Sequence, residues 1–254
     1  MSTQSILSID RIGKSFGGLH ILKDVNLSVK KGEKIGVIGP NGAGKTTFFN
    51  LLTGDLSPSH GTIEYQQSDI TKLPNYKRAR EGIVRTFQKN NLLTELTVLD
   101  NLLLVLQRKH NLGQVWHRFL SEKHYPKLYE EADHFIGTWG LRQQRDKVVK
   151  NLSYGEQRQI EILLGVATEP EVLLLDEPTA GMSQSETDYI VDLLGRLPKD
   201  LTLMIVEHDL EVVFGLSDRV VVLYDGEVLV EGDPDTIRTD ERVNEIYIGS
   251  EVEA

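Results

Sequence analysis

One stretch constrains this chain more than any other: Gly39-Pro-Asn-Gly-Ala-Gly-Lys-Thr-Thr47. It follows Lys34-Ile-Gly-Val-Ile38, an apolar strand pattern, and runs into Thr47-Phe-Phe-Asn-Leu-Leu52, which reads as a helix start. Gly39, Gly42 and Gly44 let the backbone wrap closely, so that loop N–H groups, those of Asn41 and Ala43 included, and the helix N-terminus face a polyphosphate. At this spacing Lys45 reaches the β- and γ-phosphates, Thr46 offers its hydroxyl to magnesium, and Thr47 continues the first turn. A glycine-rich turn with an accidental Lys-Thr is the alternative. It does not account for the full spacing together with the flanking strand and helix. The expectation is a site for a nucleoside triphosphate with Mg2+.

A formal net charge of −10 argues against binding nucleic acid over a broad surface. The one tight basic cluster, Lys77-Arg-Ala-Arg80, reads as a solvated helix face. With no cysteine the chain has neither disulfides nor a thiolate metal site, which fits a reducing cytosol. Met1-Ser-Thr-Gln-Ser5 lacks the basic-then-apolar pattern of a secretory signal, and no apolar run approaches a membrane span. Any membrane role is expected to come through a partner.

Alternation predicts strands over Ile6–Ile12, His20–Val29 and Lys34–Ile38, and a shorter one over Gly61–Tyr65. From Thr94 to about Leu141 the character is helical. Leu99, Leu102, Leu103 and Leu106 share one face; Leu128, Ala132, Phe135, Ile136 and Trp139 repeat the spacing, and helix packing explains both stripes. Between them lie Trp116, Phe119 and Tyr125. Continuous apolar runs at Val172–Leu175 and Leu201–Val206 suit a parallel sheet covered on both faces, with a helix between them from about Glu186 to Leu197. Val220–Tyr224, Asp225-Gly226 and Val228–Val230 spell a hairpin. The charged tail from Asp235 carries Val243, Ile246 and Tyr247 as a docking stripe. The architecture read from this order is an α/β nucleotide-binding core over 1–88 and 160–237, a helical insertion over 89–159, and a tail over 238–254.

Val172-Leu-Leu-Leu-Asp176-Glu177 is a strand ending in adjacent carboxylates. Asp176 can enter a magnesium shell and Glu177 can polarise an attacking water, although a charged strand end is common in α/β proteins. Asn151-Leu-Ser-Tyr-Gly-Glu-Gln157 precedes an apolar helix, where Ser153 and Gly155 offer a hydroxyl and a backbone N–H; an ordinary Ser-capped helix has the same pattern.

The order of the phosphate loop, Gln88, Leu152-Ser-Tyr-Gly-Glu-Gln157, Asp176-Glu177-Pro178-Thr179 and His208 resembles an ABC-type ATPase over nearly the whole chain. The resemblance implies a P-loop NTPase core of RecA-like, mostly parallel sheet, with an antiparallel β subdomain and a helical ABC-type insertion. It implies catalytic roles for Glu177, His208 and Gln88. His208 contacts the γ-phosphate, and Gln88 links a metal shell of Thr46, Gln88 and Asp176 to the helical part. Phe16 matches the aromatic that stacks on adenine, where an isolated Phe reads as core. Ser153, Gly155 and Glu156 of the signature act in trans, on ATP held by a facing ATPase subunit. The family's loop after the acidic pair usually carries an Asp where this chain has Ser183, so that Asp's cross-subunit contact is not carried over. Glu177 is retained, and a competent catalytic site is expected.

Arg85-Thr-Phe-Gln88, Ala180-Gly-Met182, Ser185-Glu-Thr187 and Ile246-Tyr-Ile-Gly249 resemble ATP-binding subunits of branched-chain or hydrophobic amino acid importers. Urea or amide importer ATPases, lipopolysaccharide-exporter ATPases and soluble ABC ATPases of repair or translation are the alternatives. The partners implied are transporter membrane subunits, a second ATPase subunit, homologous or identical, and indirectly a periplasmic solute-binding protein. Nucleic acid is not among them. The implied location is peripheral, on the cytoplasmic face of the inner or plasma membrane. Leu92, Leu93, Leu96 and Val98 are candidates for the surface that meets a membrane subunit, with core burial as the competing reading.

Overall fold

Residues 5–86, 92–112 and 121–252 are described by the computed structural model. Polar–apolar alternation makes β1 (Ser5–Phe16) and β2 (Leu19–Lys30) one-faced: Val25, Leu27 and Val29 are buried while Asn26, Ser28 and Lys30 are exposed. With β4 (His60–Tyr65) and β5 (Ser68–Asp69) they form a four-stranded antiparallel sheet in the order β2-β1-β4-β5.

A second sheet has the order β10-β9-β3-β8-β7-β6. Its strands are β3 (Lys34–Ile38), β6 (Ile83–Thr86), β7 (Val172–Asp176), β8 (Thr202–Val206), β9 (Arg219–Tyr224) and β10 (Glu227–Gly232). β3 pairs in parallel with both β8 and β9, and β7 pairs in parallel with β8. β10 returns antiparallel on β9. Every residue of β7 and β8 is buried, as continuous apolar runs in a doubly covered sheet require. The fold is therefore a mixed α/β cassette: a mostly parallel sheet accompanied by an antiparallel β subdomain.

The chain divides into two compact units. The first comprises Met1–Arg85, Glu171–Ala180 and Leu194–Ala254 and holds both sheets. Its helix α1 (Lys45–Thr53) buries Phe48, Phe49, Leu51 and Leu52 in the core. The basic cluster on α2 (Asn75–Glu81) departs from the solvated face expected of it. Arg78 is 1% exposed, and its guanidinium donates to the carbonyls of Leu51, Leu52, Thr71 and Leu73. It thereby supplies donors to carbonyls at the end of α1, where Leu51 also accepts from the Gly54 N–H. Lys77 and Arg80, as expected, are exposed or nearly so.

The tail folds as α8 (Pro234–Thr239) and α9 (Glu241–Val252), after α7 (Leu210–Leu216). Val243 is buried and Tyr247 packs with it against Ile38, Val213, Val220 and Ile237, so the expected docking stripe closes on the chain's own core. The Tyr247 phenol oxygen accepts from the Gly39 backbone N–H.

The second unit comprises Thr86–Pro170 and Gly181–Leu193. It contains α3 (Val98–Lys109), α4 (Pro126–Thr138), α5 (Tyr154–Ala167) and most of α6 (Gln184–Gly195). Both leucine-rich stripes are buried, apart from the half-buried Phe135, and α3 packs on α4 and α5. Of the four docking candidates, Leu92 and Val98 belong to the core, Leu96 is half-buried and Leu93 is exposed. Trp116, Phe119 and Gln88 lie outside the described residues. Among the described residues no helix is long and apolar enough to cross a membrane.

Candidate functional site

β3 delivers the chain into the phosphate loop, and the loop's first residue is tightly enclosed. Gly39 has φ +150°, and a Cβ there would lie 2.1 Å from the Leu223 carbonyl oxygen. No side chain fits. The loop from Asn41 to Thr47, with Ile21, Glu177 and His208, lines a cavity of about 300 Å³. Lys45 is buried and folds back on the loop, donating from Nζ to the Gly39 carbonyl at 2.6 Å and the Pro40 carbonyl at 3.1 Å. Burial lowers its pKa, against the opposing pull of the Glu177 and Asp176 carboxylates. The geometry thus brings Lys45, Glu177 and His208 to one cavity, and Thr46 and Thr47 with them.

Asp176 closes β7 fully buried, and Glu177 follows with φ +48°, a left-handed conformation uncommon for a residue with a side chain. The Glu177 N–H donates to the Val206 carbonyl at 2.8 Å, which fixes this turn against β8. Its Oε1 lies 2.7 Å from His208 Nε2. A carboxylate held by an imidazole beside a phosphate-sized cavity can orient a water and take its proton.

Two anchors of this region carry no motif of their own. Glu207, 3% exposed, accepts from the Thr179 N–H at 2.8 Å and its hydroxyl at 2.6 Å, and from the His208 N–H at 3.0 Å. It braces the loop after Glu177 and the histidine together. Arg85 donates from Nη2 to Asp176 Oδ2 and from Nη1 to Asn50 Oδ1. An acid next to a histidine and an arginine inside a family string were the only sequence signals for them.

The donor set fits magnesium. Thr46 and Asp176 carry the hard oxygen donors that such an ion takes. Among the described residues no group of three or more His, Cys, Asp or Glu gathers into a cage. Such a sparse set suits an ion whose remaining positions come from phosphate and water. Phe16, expected in the core if it had no ligand role, is instead 48% exposed at the end of β1, with Lys14 Nζ 4.9 Å from its ring centroid. It is not part of the cavity lining.

In the second unit Ser153 caps α5. Its Oγ accepts from the Glu156 N–H at 3.2 Å, and Glu156 Oε2 accepts from the Ser153 N–H at 2.8 Å. This reciprocal box satisfies the Ser153 and Glu156 N–H groups at the start of α5. Burial works against charge on Glu156, but hydrogen bonds from Gln144 and Ser153 outweigh it and hold the carboxyl below its ordinary pKa. A Cβ on Gly155 would lie 2.3 Å from Glu186 Oε1. Ser183 donates to Glu186 Oε2 from its N–H at 2.9 Å and its hydroxyl at 2.7 Å.

Comparison with known proteins finds a family match and full-length relatives. The family described as ABC transporter matches residues 22–180. The high-affinity branched-chain amino acid transport ATP-binding protein LivG of Escherichia coli (strain K12) is 38% identical, over 97% of this chain and 99% of its own length. The lipopolysaccharide export system ATP-binding protein LptB of Haemophilus influenzae is 32% identical, over 97% of this chain and 98% of its own. The solved ADP conformation of an ATP-binding cassette of an ABC transporter superposes with a TM-score of 0.84 at 32% identity, covering 97% of this chain and 100% of the other. A dimeric cassette in a post-hydrolysis state with ADP and Pi gives 0.75 at 25% identity, covering 90% and 98%.

Proposed function

The chain belongs to the ABC transporter ATP-binding proteins, and from that membership we propose that it energises the import of branched-chain or other hydrophobic amino acids. It is an ATP-hydrolysing cassette and the ATP-binding subunit of a transporter. The observation that carries the choice of solute is likeness over full length to branched-chain amino acid transport ATP-binding proteins, 38% from Escherichia coli and 36% from Pseudomonas aeruginosa. The second reading, lipopolysaccharide export, is supported by a full-length relative at 32%.

The chemistry follows from the first unit's residues. Backbone N–H groups of the phosphate loop and Lys45 bind the β- and γ-phosphates, with Lys45 exchanging the Gly39 and Pro40 carbonyls for phosphate oxygens. Thr46 and Asp176, joined by Gln88, would hold Mg2+, which would supply charge to offset that of the phosphates. Glu177 orients a water, whose oxygen forms the new bond to the γ-phosphorus as the bond to the ADP oxygen breaks. Glu177 accepts the proton, and His208 holds the carboxylate while approaching the γ-phosphate. Phe16 stacks on adenine.

The signature residues Ser153, Gly155 and Glu156 act on ATP bound by a second ATPase subunit, identical or homologous. Membrane subunits receive the resulting motion on the cytoplasmic face of the membrane, and a solute-binding protein delivers the cargo on the other side. ATP favours the closed pair because only that state supplies both sets of contacts, and hydrolysis removes the preference.

The test is uptake of radiolabelled leucine by cells lacking this chain, complemented with the native sequence or with Glu177→Gln. Uptake restored by the native chain alone supports the reading. Leucine uptake indifferent to the deletion overturns it, and accumulation of lipopolysaccharide at the inner membrane favours the second reading.

A further inference from the structure

Asp176 carries an acidic side chain at the end of a strand buried on both faces, with none of it exposed. A carboxylate in such a place is costly unless it is paired with good geometry. The partner is Arg85, itself 6% exposed, which donates from Nη2 to Asp176 Oδ2. The other arm of the fork, Nη1, donates to Asn50 Oδ1, with Asp55 Oδ2 at 4.0 Å. The guanidinium carbon lies 5.8 Å from the centroid of the Phe49 ring. Asn50 and Phe49 belong to α1, whose first turn carries Lys45, Thr46 and Thr47. Asp176 closes β7, and Glu177 comes next. A single planar group thus ties the helix that bears one magnesium ligand to the strand that bears the other.

We propose that Arg85 is a positioning residue for the divalent cation of the nucleotide site, holding the Asp176 carboxylate in register with α1. The role rests on the reading of Thr46 and Asp176 as magnesium ligands. It requires the fork. A lysine supplies the charge but only a point of contact, so it cannot hold Asn50 and Asp176 at fixed separation over an aromatic face.

The experiment is a titration of the full chain with ATP in saturating magnesium and again in EDTA. The ratio of the two dissociation constants is the gain that the metal contributes. Asp176→Asn is expected to abolish that gain, which checks the underlying reading. Arg85→Lys and Arg85→Met are expected to cut it roughly tenfold to a hundredfold, as outer contacts to metal ligands do, while affinity in EDTA stays within about twofold. Thermal unfolding monitors both variants. If loss of the guanidinium unfolds Arg85→Met, the charge-preserving Arg85→Lys carries the decision.

A native gain in the folded arginine variants, with Asp176→Asn lacking it, overturns the role of Arg85 alone. An Asp176→Asn chain that keeps the gain overturns the magnesium reading and this proposal with it. Equal losses with magnesium and with EDTA mark a merely structural arginine and overturn the proposal as well.

Discussion

Glu177 stands in a left-handed backbone conformation, its N–H tied to Val206 and its carboxylate to His208. Strained backbone of this kind persists only where the surroundings hold it, and here it aims the side chain into the cavity beside Lys45. Glu177→Gln keeps the shape and the turn but loses the base. We expect ATP binding to persist and phosphate release by the assembled transporter to fall by roughly 10²-fold or more. Near-native turnover would remove the assigned role. Lys45, Thr46, Asp176 and Glu177 were legible in the sequence because each follows its partner at a spacing set by one local turn. Arg85 and Glu207 were not. Their partners lie 91 and 28 residues away, and only the folded sheet makes neighbours of them.

Strands and helices with strong local periodicity matched their expected positions to within a few residues. β7 and β8 are the clearest cases, since burial on both faces leaves an unbroken apolar run. The α2 cluster shows the limit of such reading. A basic run on a short helix looks solvated, yet Arg78 turns inward because α1 ends beside it with carbonyls to satisfy. Arg78→Met should destabilise the chain by about 2–4 kcal/mol by removing the guanidinium's four hydrogen bonds to backbone carbonyls. Urea unfolding would show it, and a loss below half a kilocalorie would deny the buttress. Two tyrosines mark further contacts between elements. Burial pushes Tyr65 of β4 and Tyr247 of α9 up to about 12. The folded chain therefore binds more protons than the unfolded chain from pH 10 to about 12. That part of the stability is complete below pH 10 and is lost as pH rises through this window. Ultraviolet titration should find Tyr65 and Tyr247 ionising latest, after a smaller delay at Tyr129, with each delay vanishing in urea.

For the molecule as a whole, the signature helix and the phosphate loop belong to different compact units, and the proposed transport cycle uses them on facing subunits. Ser153→Arg is expected to leave ATP binding to the single chain intact and to prevent nucleotide-driven dimerisation. Light scattering with ATP and Glu177→Gln, which suppresses turnover, would measure it. A dimer that survives would refute action in trans.

The central strand carries a consequence for how the chain comes into being. β3 leads into the phosphate loop, but both of its neighbours, β8 and β9, come from Thr202 onward. On the ribosome, Lys34–Ile38 therefore emerges with two open edges and waits for more than 160 further residues before either is covered. Contacts of such long sequence separation form slowly and leave apolar strands exposed in the interval. A chain stopped after Lys199 should bind no ATP and should aggregate or remain with a chaperone. ATP binding by that fragment would show that the loop matures without its neighbours. Nucleotide would otherwise meet this protein only near the end of its synthesis, which makes ATP a late witness to folding and no help in starting it.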